Sequence, residues 1–387
     1  MKKIKFKKWK IIIIFIIFFL QYFFKFIKFT IKRFRLNNEF IKNENYLKLC
    51  SDNKTDYPKK FKISKKPKIS IISPLYNTGK YILRLLKSIQ YQKFINIEII
   101  LIDDCSKDNS VELIKTLQRT DKRIQLIRNK INKGTFASRN IGILKSKGKY
   151  IILPDSDDIL LENILYYFYH LPIKSHFDFI RYNVYITYGQ TFFGHITDHL
   201  ESRPIYQPEL STYIFYGLGF LNQVDFNICN KFIKREALIR ALNMLEKINL
   251  NIYMTCHEDG LLNYLLYRTA KSSFFIKKFG YYYLKKNDKR KTEYYNFNNI
   301  KFSFIHLMNV FNYSKNNQYE RDMTNNIFNR LIYEKKINDY LSLLNKEYNF
   351  FIDIINILNQ NEFFLDKYKT YLNNFKIFFL NKTKNDY

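Results

Sequence analysis

Between Lys68 and Leu161 the chain alternates short apolar runs with longer stretches of helical spacing. KISIIS (68–73), IEIILI (97–102), IQLIR (124–128) and YIIL (150–153) read as strands, and 80–92, 109–119 and 135–146 between them read as helices. Strands that are apolar throughout must be covered on both faces, and strands joined through a helix run parallel. The stretch is therefore restricted to βαβ units in a parallel sheet with helices on both sides. After residue 160 the pattern loosens. A helix is expected at about 160–170, then mixed aromatic-rich segments, a helix over 258–269, and one or two strands within FFIKKFGYYYL (274–284). From about 288 an Asn/Lys-rich stretch with apolar clusters reads as a mainly helical extension.

The N-terminal end is of another kind. Its first 35 residues carry 11 Lys/Arg and no acid, and residues 11–24 read IIIIFIIFFLQYFF. Fourteen residues are short for a span of about 20, but Lys25 and Lys28 can snorkel and extend the segment to about 19. No small-residue cleavage site follows. An uncleaved single-pass anchor over 1–35 is expected, in preference to a signal peptide or interfacial helix, with a polar stem over 36–66. The four cysteines show no CxxC or His/Cys ligand spacing, which excludes a zinc module or disulfide scaffold. The formal charge of +31 could suit nucleic acid, yet Lys and Arg are spread along the whole chain rather than gathered in one motif, so no nucleic-acid partner is expected.

In open α/β sheets ligands bind beyond the carboxyl ends of the strands. Here the second strand ends in Asp103-Asp104 and the fourth in Asp155-Ser156-Asp157-Asp158. Five carboxylates converging on one crevice would repel one another, and a divalent cation with a hydroxyl-rich ligand would relieve that repulsion. Oxygen donors select Mg²⁺ or Mn²⁺. A single Asp after a strand would otherwise be a helix cap. No GxGxxG follows the first strand and no GxxxxGK[ST] occurs, so dinucleotide oxidoreductases and P-loop NTPases lose their usual warrant.

Four segments in order, ISPLYN, ILIDDCSKDNS, NKGTFASRNIGI and GKYIILPDSDDIL, resemble the nucleotide-sugar-binding half of family 2 glycosyltransferases, which have the GT-A fold. Gly134, Gly142 and Gly148 fall where such sequences place glycine, in a chain with only 10 glycines. NICNKFIKREAL (227–238), CHEDGLLNYLL (256–266) and GYYYL (280–284) resemble the second half more weakly. The resemblance implies that Asp104, with Asp103 beside it, hydrogen-bonds the base, and that the backbone around Pro74 and Tyr76 lines the nucleoside slot. It makes Asp157 and Asp155 the metal ligands, with Asp155 or Asp158 near the ribose. Arg139 is implied near the donor, or as an ion pair that merely holds the aspartates. Asp259, or else Glu258, is implied as the general base.

The resemblance therefore implies a GT-A domain over 67–287, divided into a nucleotide-sugar half (67–162) and an acceptor half (163–287), with a helical extension over 288–387. Its activity would be metal-dependent, inverting transfer of a sugar from a nucleotide-sugar, most simply a UDP-sugar, to a glycan, lipid or protein acceptor. A catalytically silent scaffold subunit at a membrane is the alternative. The only tryptophan is Trp9, so the Q-x-x-R-W motif of processive synthases is missing and non-processive transfer is expected. The layout of anchor, stem and catalytic domain is similar to that of Golgi transferases facing the lumen, and a bacterial enzyme on the cytoplasmic face of the inner membrane would share it.

Overall fold

The computed structural model describes residues 64–188, 191–196, 203–207, 227–247 and 258–285, with Cys50, Phe61, Lys62 and Leu210 as isolated positions. The expected anchor, most of the stem and the C-terminal extension lie outside the described residues. No helix among those described is long and apolar enough to cross a membrane.

The first half follows the alternation in the sequence. Strand β1 (Ile69–Leu75) leads to α1 (Ile82–Gln90), β2 (Ile97–Asp103) to α2 (Ser110–Gln118), and β3 (Ile124–Arg128) to α3 (Gly134–Lys145) and β4 (Tyr150–Ile152). Strands β1 and β2 are buried at every position, as expected of strands covered on both faces. Then come β5 (Ile159–Leu160), α4 (Ile164–His170), β6 (Phe179–Tyr188), β7 (Thr191–Ile196), β8 (Pro204–Tyr206), β9 (Lys231–Lys234), α5 (Arg235–Lys247), α6 (Glu258–Thr269) and β10 (Ser272–Lys285).

These strands form one sheet in the order β3-β2-β1-β4-β9-β6-β10-β5, with β7 on β6 and β8 on β10. Strands β1 to β4 are parallel, as expected. Beyond β4 the sheet is mixed: β9 is antiparallel to both β4 and β6, while β10 runs parallel to β6. Where one or two strands were expected within 274–284 there is one, longer strand, and register shifts between Phe275 and Tyr281 bend it as it passes β6.

Helices α3, α5 and α6 pack on one face and α1, α2 and α4 on the other. Helix α3 lies unusually close to the sheet, because a Cβ on Gly142 would sit 2.2 Å from Ile72 Cγ2. It also touches α5 and α6. That contact carries α3 of the first half against the start of α6 of the second, and the site forms at this junction.

Candidate active site

The turn after β2 uses its acids internally. Asp103 is fully buried; its Oδ1 accepts the Ser106 N–H at 3.1 Å and its Oδ2 accepts Arg128 Nε at 3.1 Å. Arg128 stands opposite it in the β2–β3 register. Asp104 Oδ1 accepts Asn129 Nδ2 and the Lys133 N–H, and its Oδ2 accepts the Gly134 N–H, each at 2.8 Å. Gly134 has φ 83°, a left-handed backbone that favours glycine, and it opens α3. Asp104 thus satisfies free N–H groups at the start of a helix thirty residues further on and complements its dipole. Three of its roughly four acceptor positions are occupied in this way.

The loops after β1 and β2 are laced together over the strand ends. The N–H groups of Asn77, Thr78 and Gly79 donate to Ser106 Oγ, Ser110 Oγ and Asp108 Oδ2, and Asn77 Oδ1 accepts the Lys107 N–H. Pro74 lies buried within β1, opposite Ile102, while Tyr76 just beyond it is 40% exposed. Of the two residues expected around the nucleoside slot, Tyr76 is the one with an exposed side chain.

The turn after β4 is different. Asp155, Asp157 and Asp158 offer carboxylate oxygens within 4.8 Å of one another, the only such acidic group among the described residues. Asp158 is buried; its Oδ2 accepts the Tyr281 hydroxyl at 2.8 Å and its Oδ1 accepts the Leu284 N–H at 2.9 Å. The same Tyr281 oxygen accepts the Asp155 N–H at 3.0 Å. Burial, then the charges of Asp157 and Asp155, push the Asp158 carboxyl well above the usual range. Burial, then Asp158, likewise pushes the Tyr281 phenol up, so it remains a donor.

Arg139 joins this turn to the second half. From α3, 2% exposed, its Nη2 reaches Asp155 Oδ1 at 2.6 Å and its Nη1 reaches Glu258 Oε1 at 3.4 Å and pairs with Asp259. Burial opposes its charge, but Asp259, Asp155 and Glu258 outweigh burial and raise its pKa further. Glu258 is raised to about 7, by burial first and then by the Asp259 charge, with Arg139 opposing both. Burial and the charges of Asp155 and Asp259 push the Cys229 thiol well up, so Cys229 stays a thiol.

Of the five carboxylates that would repel if unpaired, those of Asp103 and Asp104 have partners within the fold. Asp103 and Asp104 are tied to Arg128 and the 129–134 segment, and the acids that do gather are Asp155, Asp157 and Asp158 with Glu258 and Asp259, around Arg139. Sequence reasoning missed Tyr281, Arg128 and Asn129. For Tyr281 the only signal was an aromatic strand, which says nothing of where a hydroxyl points. The trio of aspartates supplies clustered oxygen donors of the kind that hold a hard divalent cation.

The sequence signature described as glycosyl transferase family 2 matches residues 70–242. The glycosyltransferase GlyG of Streptococcus pneumoniae is 29% identical over 216 residues, 50% of this chain and 71% of that protein. An uncharacterized glycosyltransferase of Haemophilus influenzae is 33% identical over 210 residues, 54% of this chain and 78% of its own. Among solved structures, residues 1–349 of S. aureus TarS in complex with UDP-GlcNAc share the fold, with a TM-score of 0.56 at 20% identity over 76% of this chain and 80% of that one.

Proposed function

The chain belongs to glycosyl transferase family 2, and on that footing we propose that it moves single sugars from a UDP-sugar to a carbohydrate-type acceptor, with inversion. The observation that carries this reading is the shared cation. One buried Arg139 holds a donor-side acid, Asp155, together with the acids Glu258 and Asp259 at the start of α6. A nucleoside diphosphate on the strand ends and an acceptor hydroxyl over α6 would then meet across a few ångströms of fixed charge. The UDP-GlcNAc bound by TarS supports a donor of this class.

Asp157 and Asp155 would hold Mn²⁺ or Mg²⁺, and the chemistry a cation supplies there is charge neutralisation on the departing diphosphate. Tyr281 and Asp158 keep the turn in shape from behind. Asp103 and Asp104 shape the base-binding loops, with one acceptor position of Asp104 left for a donor group. Proton acceptance falls to Glu258 or Asp259. Asp259 is committed to the tight pair with Arg139, whereas Glu258, held near neutrality, is matched to taking a proton at physiological pH. No covalent nucleophile is needed for a single displacement.

Residues 1–35 would anchor the chain in a membrane. The two curated relatives named above are bacterial, which supports the cytoplasmic face of a bacterial membrane over a Golgi lumen.

Calorimetry of the full chain with UDP and UDP-GlcNAc, with Mn²⁺ or with EDTA, tests the reading. Binding that needs the cation is expected. Equal affinity in EDTA would remove the metal, and absence of binding to every nucleotide-sugar tried would remove the donor assignment.

A further inference from the structure

The sheet has a second exposed edge. All αβ connections of a parallel sheet emerge at the amino ends of its strands, on the side away from the carboxyl-end crevice. Here these connections are 64–68 before β1, 91–96 before β2, 119–123 before β3 and 146–149 before β4. The structure ties them into one surface. The Lys68 N–H donates to Asn96 O and the Tyr150 N–H to Lys68 O, while the Lys147 and Gly148 N–H groups donate to Glu98 Oε1. Strand β9 adds its carboxyl end to the same edge, with the Arg235 N–H donating to Lys149 O.

That surface is exposed and one-signed. Lys65, Lys66, Lys68, Lys145, Lys147 and Lys149 are all exposed, and Lys93 and Lys122 extend the field on either side. The acids of these connections and strand starts do not offset them. Glu98 is buried and accepts the backbone N–H groups of 147 and 148, and Asp121 is buried against Arg123. Glu236, at the start of α5, is the exposed acid on this side. Two apolar side chains stand among the lysines: Ile95, 60% exposed, and Leu144, 55% exposed. The carboxyl edge is also lysine-bearing, but there Asp108, Asp155, Asp157, Glu258 and Asp259 share the field.

The path of the chain indicates what this edge meets. Phe61 is hydrogen-bonded to the 120–122 turn, its N–H to Thr120 O and its carbonyl from the Lys122 N–H, and its ring lies 3.5 Å from the Arg123 guanidinium. Phe61 is therefore held beside the turn that leads into β3, and residues 64–68 run along the basic edge into β1. The sequence that precedes them holds the apolar run 11–24 between two basic flanks. We propose that this edge docks on an anionic lipid surface, lysines on the headgroups and Ile95 and Leu144 at the boundary, with the carboxyl-end crevice facing away from the bilayer. Each lysine near an anionic leaflet contributes about fivefold in partition.

The test uses the full chain in nanodiscs of phosphatidylcholine alone or with phosphatidylglycerol at about 2:1. Amide hydrogen exchange of 64–68 and 144–149 is expected to slow at least about threefold on the anionic discs, with no change at 103–109. Lys145→Glu, Lys147→Glu and Lys149→Glu together are expected to abolish that protection. The same charge change at Lys107, Lys277 and Lys278 should leave it within about twofold. The milder Lys→Gln triple at 145, 147 and 149 guards against a folding defect and should give an intermediate loss. Equal losses from the two charge-reversed triples, protection on zwitterionic discs alone, or protection at 103–109 would overturn the proposal. If the edge triple instead lost binding to a fluorescein-labelled single-stranded RNA while lipid protection persisted, the partner would be nucleic acid and the proposal would fall. No sugar transfer enters these readouts, so their failure leaves the transferase reading standing, and its failure leaves them standing.

Discussion

Two turns of this sheet carry the same residue type at equivalent strand ends and use it in opposite ways. After β2, Asp103 and Asp104 are consumed by the fold: Arg128, Asn129 and the backbone at 106, 133 and 134 occupy their oxygens. After β4, Asp155, Asp157 and Asp158 stay crowded, and Arg139 must serve Asp155 along with Glu258 and Asp259. The difference lies in what each turn faces. The β2 turn is followed by a helix N-terminus that presents free N–H groups, whereas the β4 turn meets the side chain of Tyr281 and two further acids. A cation brought to the crowded turn would offset the mutual repulsion of its carboxylates.

The largest effect should come from the acids on the crowded side. Glu258→Gln and Asp259→Asn are expected to separate, with the true base losing about 10² to 10⁴ in kcat while nucleotide affinity holds. Because a base must be ionised and Glu258 is held at about 7, turnover should fall as pH drops through about 7, and Glu258→Gln should remove that limb. The stability sign is opposite. A carboxyl whose folded pKa lies above its unfolded one opposes folding once ionised, so Glu258→Gln should raise the melting temperature at pH 8 and not at pH 4. An unchanged acid limb in Glu258→Gln would return the role to Asp259.

Next comes the direct contrast between the turns. Asp157→Asn should lower transfer by about 10² to 10³ and abolish cation-dependent donor binding, with the melting temperature kept. Asp104→Ala should do the reverse in kind, costing up to about 3 kcal/mol by stranding the Asn129, Lys133 and Gly134 donors, as read by urea unfolding. If Asp104→Ala folded normally but lost nucleotide, the base contact would be its main role and the contrast between the turns would collapse.

How much of this was legible beforehand follows from what each feature depends on. The four parallel strands and their helices were readable because covered strands are dominated by apolar residues, as in Ile97–Asp103, which is buried at every position and polar only at Glu98 and Asp103. The helix over 258–269 was readable to the residue. Strand β9 was not, since KFIK is four residues and antiparallel insertion between β4 and β6 leaves no local mark. At the site, Arg139 and the aspartates were legible as residue types on strand ends and a helix start. Their partners were not, because Asp104 meets Gly134 and Arg139 meets Asp259 only through the packing of α3, which depends on long-range closure rather than on spacing.

The smallest effect tests the finest part of the contrast, the hydroxyl that holds the β4 turn. Tyr281 accepts from the Asp155 N–H and donates to Asp158 through a single oxygen, so it fixes the spacing of the two acids that flank Asp157. Tyr281→Phe keeps the buried ring and removes that oxygen alone. Partners that hold ligating carboxylates from behind are typically worth 10- to 100-fold in metal affinity, and the Leu284 N–H still satisfies the other oxygen of Asp158. Mn²⁺ affinity, followed by the paramagnetic signal of the free ion without any donor, should therefore weaken by about tenfold. Acting through Asp158, the change should add little to Asp158→Asn in a double-mutant cycle. Full additivity of the two, or unchanged Mn²⁺ affinity in Tyr281→Phe, would mean that the turn is held by its own backbone, and the hydroxyl would then have no part in the contrast between the two strand ends.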